Sequence, residues 1–189
     1  FKQKTAYEIK ECDWSSDVCS SDLGNHGATN VLRSGRKSAA VITLLGDALK
    51  GWVAVWLAAR YATPGEAELT MALAGALSVI GHMVPVFHRF QGGKGVATAL
   101  GVLLGYHLYI ALGAAGTWII MVVFFRISSL ASITAAAFAP FATWMFYGFA
   151  HPFFASVAVV AVLLIYRHHA NIRKILNGTE SKLGQKAKV

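Results

Sequence analysis

Acidic residues are scarce in this chain, and most of them are confined to one end. Of nine Asp and Glu in 189 residues, five fall in the first 23: Glu8, Glu11, Asp13, Asp17 and Asp22. Only Asp47, Glu66, Glu68 and Glu180 follow. Charge of either sign is also low, 14% against 56% hydrophobic residues, with a mean hydropathy of +0.52. A soluble domain of this length cannot hide so much apolar surface, so a membrane protein is expected. Cysteine is limited to Cys12 and Cys19, both in the acidic head, which argues against a disulfide framework or a thiolate metal site. No Cys, His and carboxylate spacing suits a metal, and His168 and His169 are adjacent, so on a helix they point in different directions. There is no signal-peptide pattern, no evident internal repeat and no Ser-His-Asp set at useful spacing. No cofactor and no nucleic-acid partner is expected.

The head itself carries three lysines against those five carboxylates, a net of −2, so the rest of the chain holds +10 of an overall +8. Its stretch from Asp13 to Leu23 resembles translated adapter sequence, and residues 1–23 are expected to be a non-native or disordered segment. A membrane domain is expected over 24–180, with a basic tail at 181–189. The basic excess of that domain suits cytoplasmic loops or a site for anions.

Within the domain, the most informative stretch is Phe90-Gln91-Gly92-Gly93-Lys94-Gly95-Val96-Ala97-Thr98, a polar island between apolar runs. Glycine lets backbone N–H groups approach a ligand, Lys94 adds a point charge, and a helix starting at Val96 presents an N-terminus that favours anions. A Walker A loop is excluded, since that pattern needs glycine where His88 stands and Ser or Thr where Gly95 stands. The stretch reads equally as a flexible turn with an interfacial lysine.

Hydropathy divides the remainder into six spans. Ser38 to Ala59 is the first, interrupted by Asp47 and Lys50, three positions apart on one helical face. They read either as an intrahelical ion pair or as groups orienting a substrate's ligands, with the supporting role favoured. Leu69 to Phe87 is the second, with His82 near its end, either a packing residue or part of the site. The apolar run from Val96 to Phe125 is too long for one crossing and is divided at Gly113 and Gly116. Ile127 to Tyr147, broken by Pro140, and Phe153 to Tyr166 complete the set. With six crossings, the clusters at Arg33, Arg36 and Lys37, at His88, Arg89 and Lys94, at Arg126, and at Arg167, Arg173 and Lys174 share one side, which the positive-inside rule assigns to the cytoplasm.

Five segments, in order, then carry a resemblance: Gly24-Asn25-His26-Gly27-Ala28-Thr29-Asn30-Val31-Leu32-Arg33, Asp47-Ala48-Leu49-Lys50-Gly51, Gly81-His82-Met83-Val84-Pro85-Val86-Phe87, Gly92-Gly93-Lys94-Gly95-Val96-Ala97-Thr98, and His169-Ala170-Asn171-Ile172-Arg173 with Gly178-Thr179-Glu180. Together they resemble the PlsY family, bacterial acyl-phosphate:glycerol-3-phosphate acyltransferases. That resemblance implies an all-α, polytopic bundle of the inner membrane, seven spans in the family and six here, with its active site open to the cytosol. It implies two substrates, glycerol 3-phosphate and a long-chain acyl phosphate, and membrane lipid as surroundings. Asn25, Thr29, Asn30, Arg33, Gly92, Gly93, Lys94, Gly95, Thr98, His82 and Glu180 are then expected around phosphate, with Arg33, Lys94, Asn171 and His169 closest to the chemistry and Asp47 and Lys50 in support. A substrate phosphate is expected to take the hydroxyl proton, with His82 or His169 as the competing base. The family's pattern has serine where Leu23 stands. A transporter or binding protein for a phosphorylated metabolite is the alternative of another class.

Overall fold

The structure, a computed structural model, describes residues 37–85 and 92–183. These form seven helices: α1 Lys37–Tyr61, α2 Ala67–Met83, α3 Val96–Tyr106, α4 Leu108–Phe125, α5 Ser128–Tyr147, α6 Pro152–Arg167 and α7 His169–Leu176. No strand occurs among the described residues. The first six are the apolar helices expected from hydropathy, in the expected order. Length separates them: α1, α4 and α5 are each long and apolar enough to cross a membrane, and α6 qualifies jointly with α7, from which it bends by 56°. At 17 and 11 residues, α2 and α3 are shorter. α3 covers only about 16 Å, roughly half a bilayer core.

What faces outward identifies the solvent. On α1 the exposed residues Ile42, Leu45, Leu49, Trp52 and Trp56 recur at helical spacing, and the two tryptophans stack with centroids 6.3 Å apart. A water-soluble bundle would turn such a stripe inward; here it meets hydrocarbon. The inner face of α1 is built for close contact instead. A Cβ on Gly101 of α3 would lie 1.9 Å from the Ala48 carbonyl oxygen, and one on Gly51 would lie 2.3 Å from that of Thr98. With apolar lipid outside, helices associate through such close backbone packing rather than through the hydrophobic effect.

Four expected boundaries are corrected. The break in the long apolar run falls at His107, whereas Gly113 and Gly116 lie inside α4. Gly113 serves packing: a Cβ there would come within 2.9 Å of the Phe138 ring. At the His107 break, groups of three other helices hold Tyr106. The Tyr106 hydroxyl bonds the Ala72 carbonyl at 3.1 Å and Ser156 at 2.9 Å, and the Tyr106 carbonyl accepts from the Tyr147 hydroxyl at 3.2 Å. α2 ends at Met83 rather than at residue 87, since Pro85 disfavours helical backbone at Val84, which adopts φ −130°. α5 runs uninterrupted through Pro140, which was expected to break it, since a helix within a membrane bundle tolerates proline where neighbours satisfy the freed carbonyl. Finally, α6 extends to Arg167, started by Pro152 at its first turn and by the His151 ring, which accepts from the Phe153 N–H at 3.2 Å.

The close α1–α3 contact predicts the effect of bulk. Gly101→Leu should destabilise the bundle by about 1–3 kcal/mol, read as a lower Tm in detergent. Gly116→Ala, with nothing within 4 Å, should leave Tm unchanged or raise it.

Candidate active site

Polar groups gather at the end of the bundle where α2 and α6 finish and α3 and α5 begin. Lys94 precedes α3 and its ammonium donates to the Asn171 side-chain oxygen of α7 at 2.7 Å. Asn171 in turn donates through Nδ2 to Glu180 Oε1 at 2.8 Å, and the Ser129 hydroxyl of α5 donates to the same oxygen at 2.7 Å. A single hydrogen-bonded chain thus joins the glycine segment, α7, the C-terminal segment and α5. The Leu183 N–H closes the same corner on the Arg126 carbonyl at 2.7 Å. Arg126 can present that carbonyl because it ends α4 in the left-handed conformation, φ 58°.

Beside this chain, the Arg167 guanidinium donates to three backbone carbonyls: Gly92 at 3.0 Å, Met83 at 3.2 Å and Gly93 at 3.3 Å. Carbonyls drawn toward Arg167 hold the glycine segment in one place. Gly95 then adopts φ 82°, a conformation that costs other residues, and α3 starts with its first N–H groups unpaired within the helix. Gly93 makes room for a neighbouring ring: a Cβ would sit 2.2 Å from His82 Nε2.

A third cluster flanks the mouth. Asp47 accepts from Lys50 at 2.6 Å, and Lys50 also pairs with His82 Nδ1, which lies 3.6 Å from Asp47. The intrahelical pair anticipated on α1 is therefore part of a triad reaching across to α2.

These groups surround one cavity of about 620 Å³. Its mouth is lined by Asp47, His82, Lys94, Gly95, Ser128, Ser129, Arg167, His168, Asn171 and Glu180. Beyond them the wall becomes apolar, with Leu103 of α3, Ala114 and Trp118 of α4, Ala135 and Ala139 of α5, and Val157 and Ala161 of α6. The cavity is therefore amphipathic, cationic and hydrogen-bonding at one end and greasy along the rest.

Several expected residues are placed elsewhere. His169 is exposed, with Nδ1 on the Tyr166 carbonyl at 2.9 Å, and does not line the cavity. One step along the chain, His168 does; it is 2% exposed and its Nδ1 lies 2.7 Å from the Leu164 carbonyl. His168 sits at the 56° bend between α6 and α7, and that bend decides which of the two faces in. Since a carbonyl can only accept, Nδ1 carries the hydrogen and the neutral ring keeps its lone pair on Nε2. Thr98 is fully buried and does not line the cavity; its side chain packs against Gly51, and its hydroxyl has no partner among the described residues. Gly92 and Gly93 stand behind the lining, and Lys50 stands outside it. Asn25, Thr29, Asn30, Arg33 and the whole of 1–23 lie outside the described residues. Sequence reasoning passed over Arg167, Ser129 and His168. A basic residue ending an apolar span beside a histidine was the available signal for two of them.

The chain matches the family described as glycerol-3-phosphate acyltransferase over residues 4–178. It belongs to that family. Among curated relatives, the glycerol-3-phosphate acyltransferase of Burkholderia pseudomallei strain 1710b is 54% identical over 165 residues, 87% of this chain and 80% of that one. That of Ralstonia nicotianae is 53% identical over 166 residues, with the same coverage of both chains. Two crystal structures of PlsY, an integral membrane glycerol 3-phosphate acyltransferase, share the fold. The glycerol 3-phosphate form aligns with a TM-score of 0.80 at 38% identity, covering 86% of this chain and 80% of that one. The lysophosphatidic acid form gives 0.82 at 35% identity, covering 94% and 89%. As a member of this acyltransferase family, the chain is an integral membrane protein.

The Arg167 clamp yields a direct test. Arg167→Lys keeps the charge but replaces the guanidinium, whose Nη2 makes all three contacts, by an ammonium on a shorter stem. Amide hydrogen exchange at Gly92, Gly93 and Gly95 should accelerate about tenfold or more, measured by mass spectrometry, with exchange in α4 unchanged.

Proposed function

We propose that this acyltransferase moves a fatty acyl group from a long-chain acyl phosphate to the 1-hydroxyl of glycerol 3-phosphate, releasing lysophosphatidic acid and phosphate, at the cytoplasmic face of a bacterial inner membrane. The observation that carries the reading is the amphipathic cavity. One substrate is a small dianion from water, and the other joins a phosphate to a hydrocarbon tail. A single cavity with Lys94 at its mouth and an apolar body suits both. The orientation follows from charge: Lys94, Arg126 and Arg167 lie at the same end of the bundle, while Glu68 pairs with His151 at the other, 3.0 Å apart.

In the proposed step, the glycerol hydroxyl oxygen attacks the acyl carbonyl, the C–O bond to phosphate breaks, and the hydroxyl proton leaves with the phosphate. The donor is already activated, so positioning supplies much of the rate. Lys94 neutralises the charge that builds on the carbonyl oxygen and the departing phosphate, together with the first N–H groups of α3. Asn171, held by Glu180, fixes where the ammonium stands. Arg33, Asn25, Thr29 and Asn30 bind phosphate in this reading, by likeness to the family's first motif. Because His169 faces away, His168 takes its place at the site: its Nε2 accepts from the substrate hydroxyl. His82 shapes the mouth while held by Lys50. Asp47 and Lys50 support it from α1.

The test is lysophosphatidic acid formation by the purified chain in vesicles, supplied with palmitoyl phosphate and glycerol 3-phosphate. Product should require both substrates, and Lys94→Ala should lower kcat/KM at least a hundredfold, as for loss of an oxyanion donor. Leu23→Ser should raise activity about tenfold, the value of one hydrogen bond to a charged group. Uptake of labelled glycerol 3-phosphate without donor, and no acylated product from either form, would overturn the reading.

A further inference from the structure

The cavity runs far beyond its polar mouth, and its inner end is shut by a wall that cannot easily yield. Along α5 the lining extends from Ser128 to Ala139, and along α6 from His168 back to Ser156. At 1.5 Å per residue those stretches set a depth of roughly 16–18 Å. An extended alkyl chain, with bonds of about 1.5 Å at tetrahedral angles, advances roughly 1.25 Å per carbon, so this depth takes about 13 or 14 carbons beyond the head.

At that depth the Ser156 hydroxyl donates to the Ala72 carbonyl at 2.9 Å and pairs with the Tyr106 hydroxyl at 2.9 Å. Behind them the Tyr106 ring stacks on Phe153, centroids 4.2 Å apart, and Tyr147 meets Phe153 edge-on at 5.3 Å. The Tyr147 hydroxyl then returns to the Tyr106 carbonyl. The wall is thus cross-bonded among α2, α3, α5 and α6, and moving it would strand buried hydroxyls and carbonyls. Just ahead of it the lining is thin. Ala139 presents only a methyl group, and Leu103 faces the cavity from α3. Alanine at 139 leaves room for the end of a chain where any larger residue would remove it.

We propose that the Ser156–Tyr106 wall sets the longest acyl chain this cavity takes, with Ala139 and Leu103 as the residues that determine chain-length selectivity and an optimum near 14 to 16 carbons. The proposal rests on the acyl-transfer reading and adds the donor's length to it.

The experiment compares initial rates with acyl phosphates of 8 to 18 carbons at saturating glycerol 3-phosphate, using the full chain in lipid nanodiscs. Each methylene kept out of an apolar cavity weakens binding about fourfold. Ala139→Phe should therefore lower kcat/KM for the 16-carbon donor at least tenfold relative to the 10-carbon donor. Leu103→Ala should act the other way, raising the 18-carbon to 14-carbon ratio about fourfold, and it remains informative if the phenylalanine variant does not fold. Variants that scale every donor by one factor would sink the length limit and leave acyl transfer intact. A parent chain that transfers no acyl group of any length would remove both.

Discussion

The arrangement depends on keeping an ammonium group at the end of an apolar bundle. A lysine there is expensive unless something compensates it, and in hydrocarbon the cost rises to several kcal/mol. Lys94 is compensated at 2.7 Å by Asn171, and Asn171 by Glu180, which also receives the Ser129 hydroxyl. Three segments far apart in sequence are thereby tied to one charge. The acceptor on α7 is a neutral amide, which leaves the ammonium's charge in place, while Glu180, one hydrogen bond further away, holds the amide. A carboxylate bound directly to Lys94 would fix it as firmly and neutralise the charge that an anionic substrate needs.

The helices around that charge follow two packing regimes, and the cavity is the result. Between α1 and α3, glycines bring backbones into contact and no space remains. Around α4, α5 and α6, alanine and serine line a space that larger side chains would fill. Small residues bring helices together where both surfaces are backbone. Where three helices meet around a common space, the same small residues leave a void, with Trp118 on its wall. Arg167 joins the two regimes, since its guanidinium reaches from α6 to the backbone that enters α3.

Much of this was legible from composition. An apolar stripe long enough to cross a bilayer is a property of consecutive residues, so α1 and α5 could be located and the run holding α3 and α4 could be seen as too long for one crossing, and the glycine segment announced itself by interrupting such runs. The places where reading failed share a cause. α3 ends at His107, two residues after Gly105, where no proline marks the break, and the Tyr106 carbonyl there is taken by the Tyr147 hydroxyl, 41 residues away. Pro140 failed to break α5 because neighbouring helices outweigh one lost hydrogen bond. His169 and Thr98 fit a motif in sequence yet face away from the cavity, since a motif records spacing and not the rotation of the helix that carries it.

By itself, then, the sequence determined the solvent this chain folds in, the order of its apolar helices and the family it resembles, because hydropathy and local motifs act over a few turns of chain. Tertiary structure alone decided which of two adjacent histidines enters the cavity, that Arg167 braces the glycine segment, and where the apolar channel stops. Those outcomes depend on helix rotation and on hydrogen bonds between residues as far apart as Lys94 and Asn171, and no local pattern carries that information.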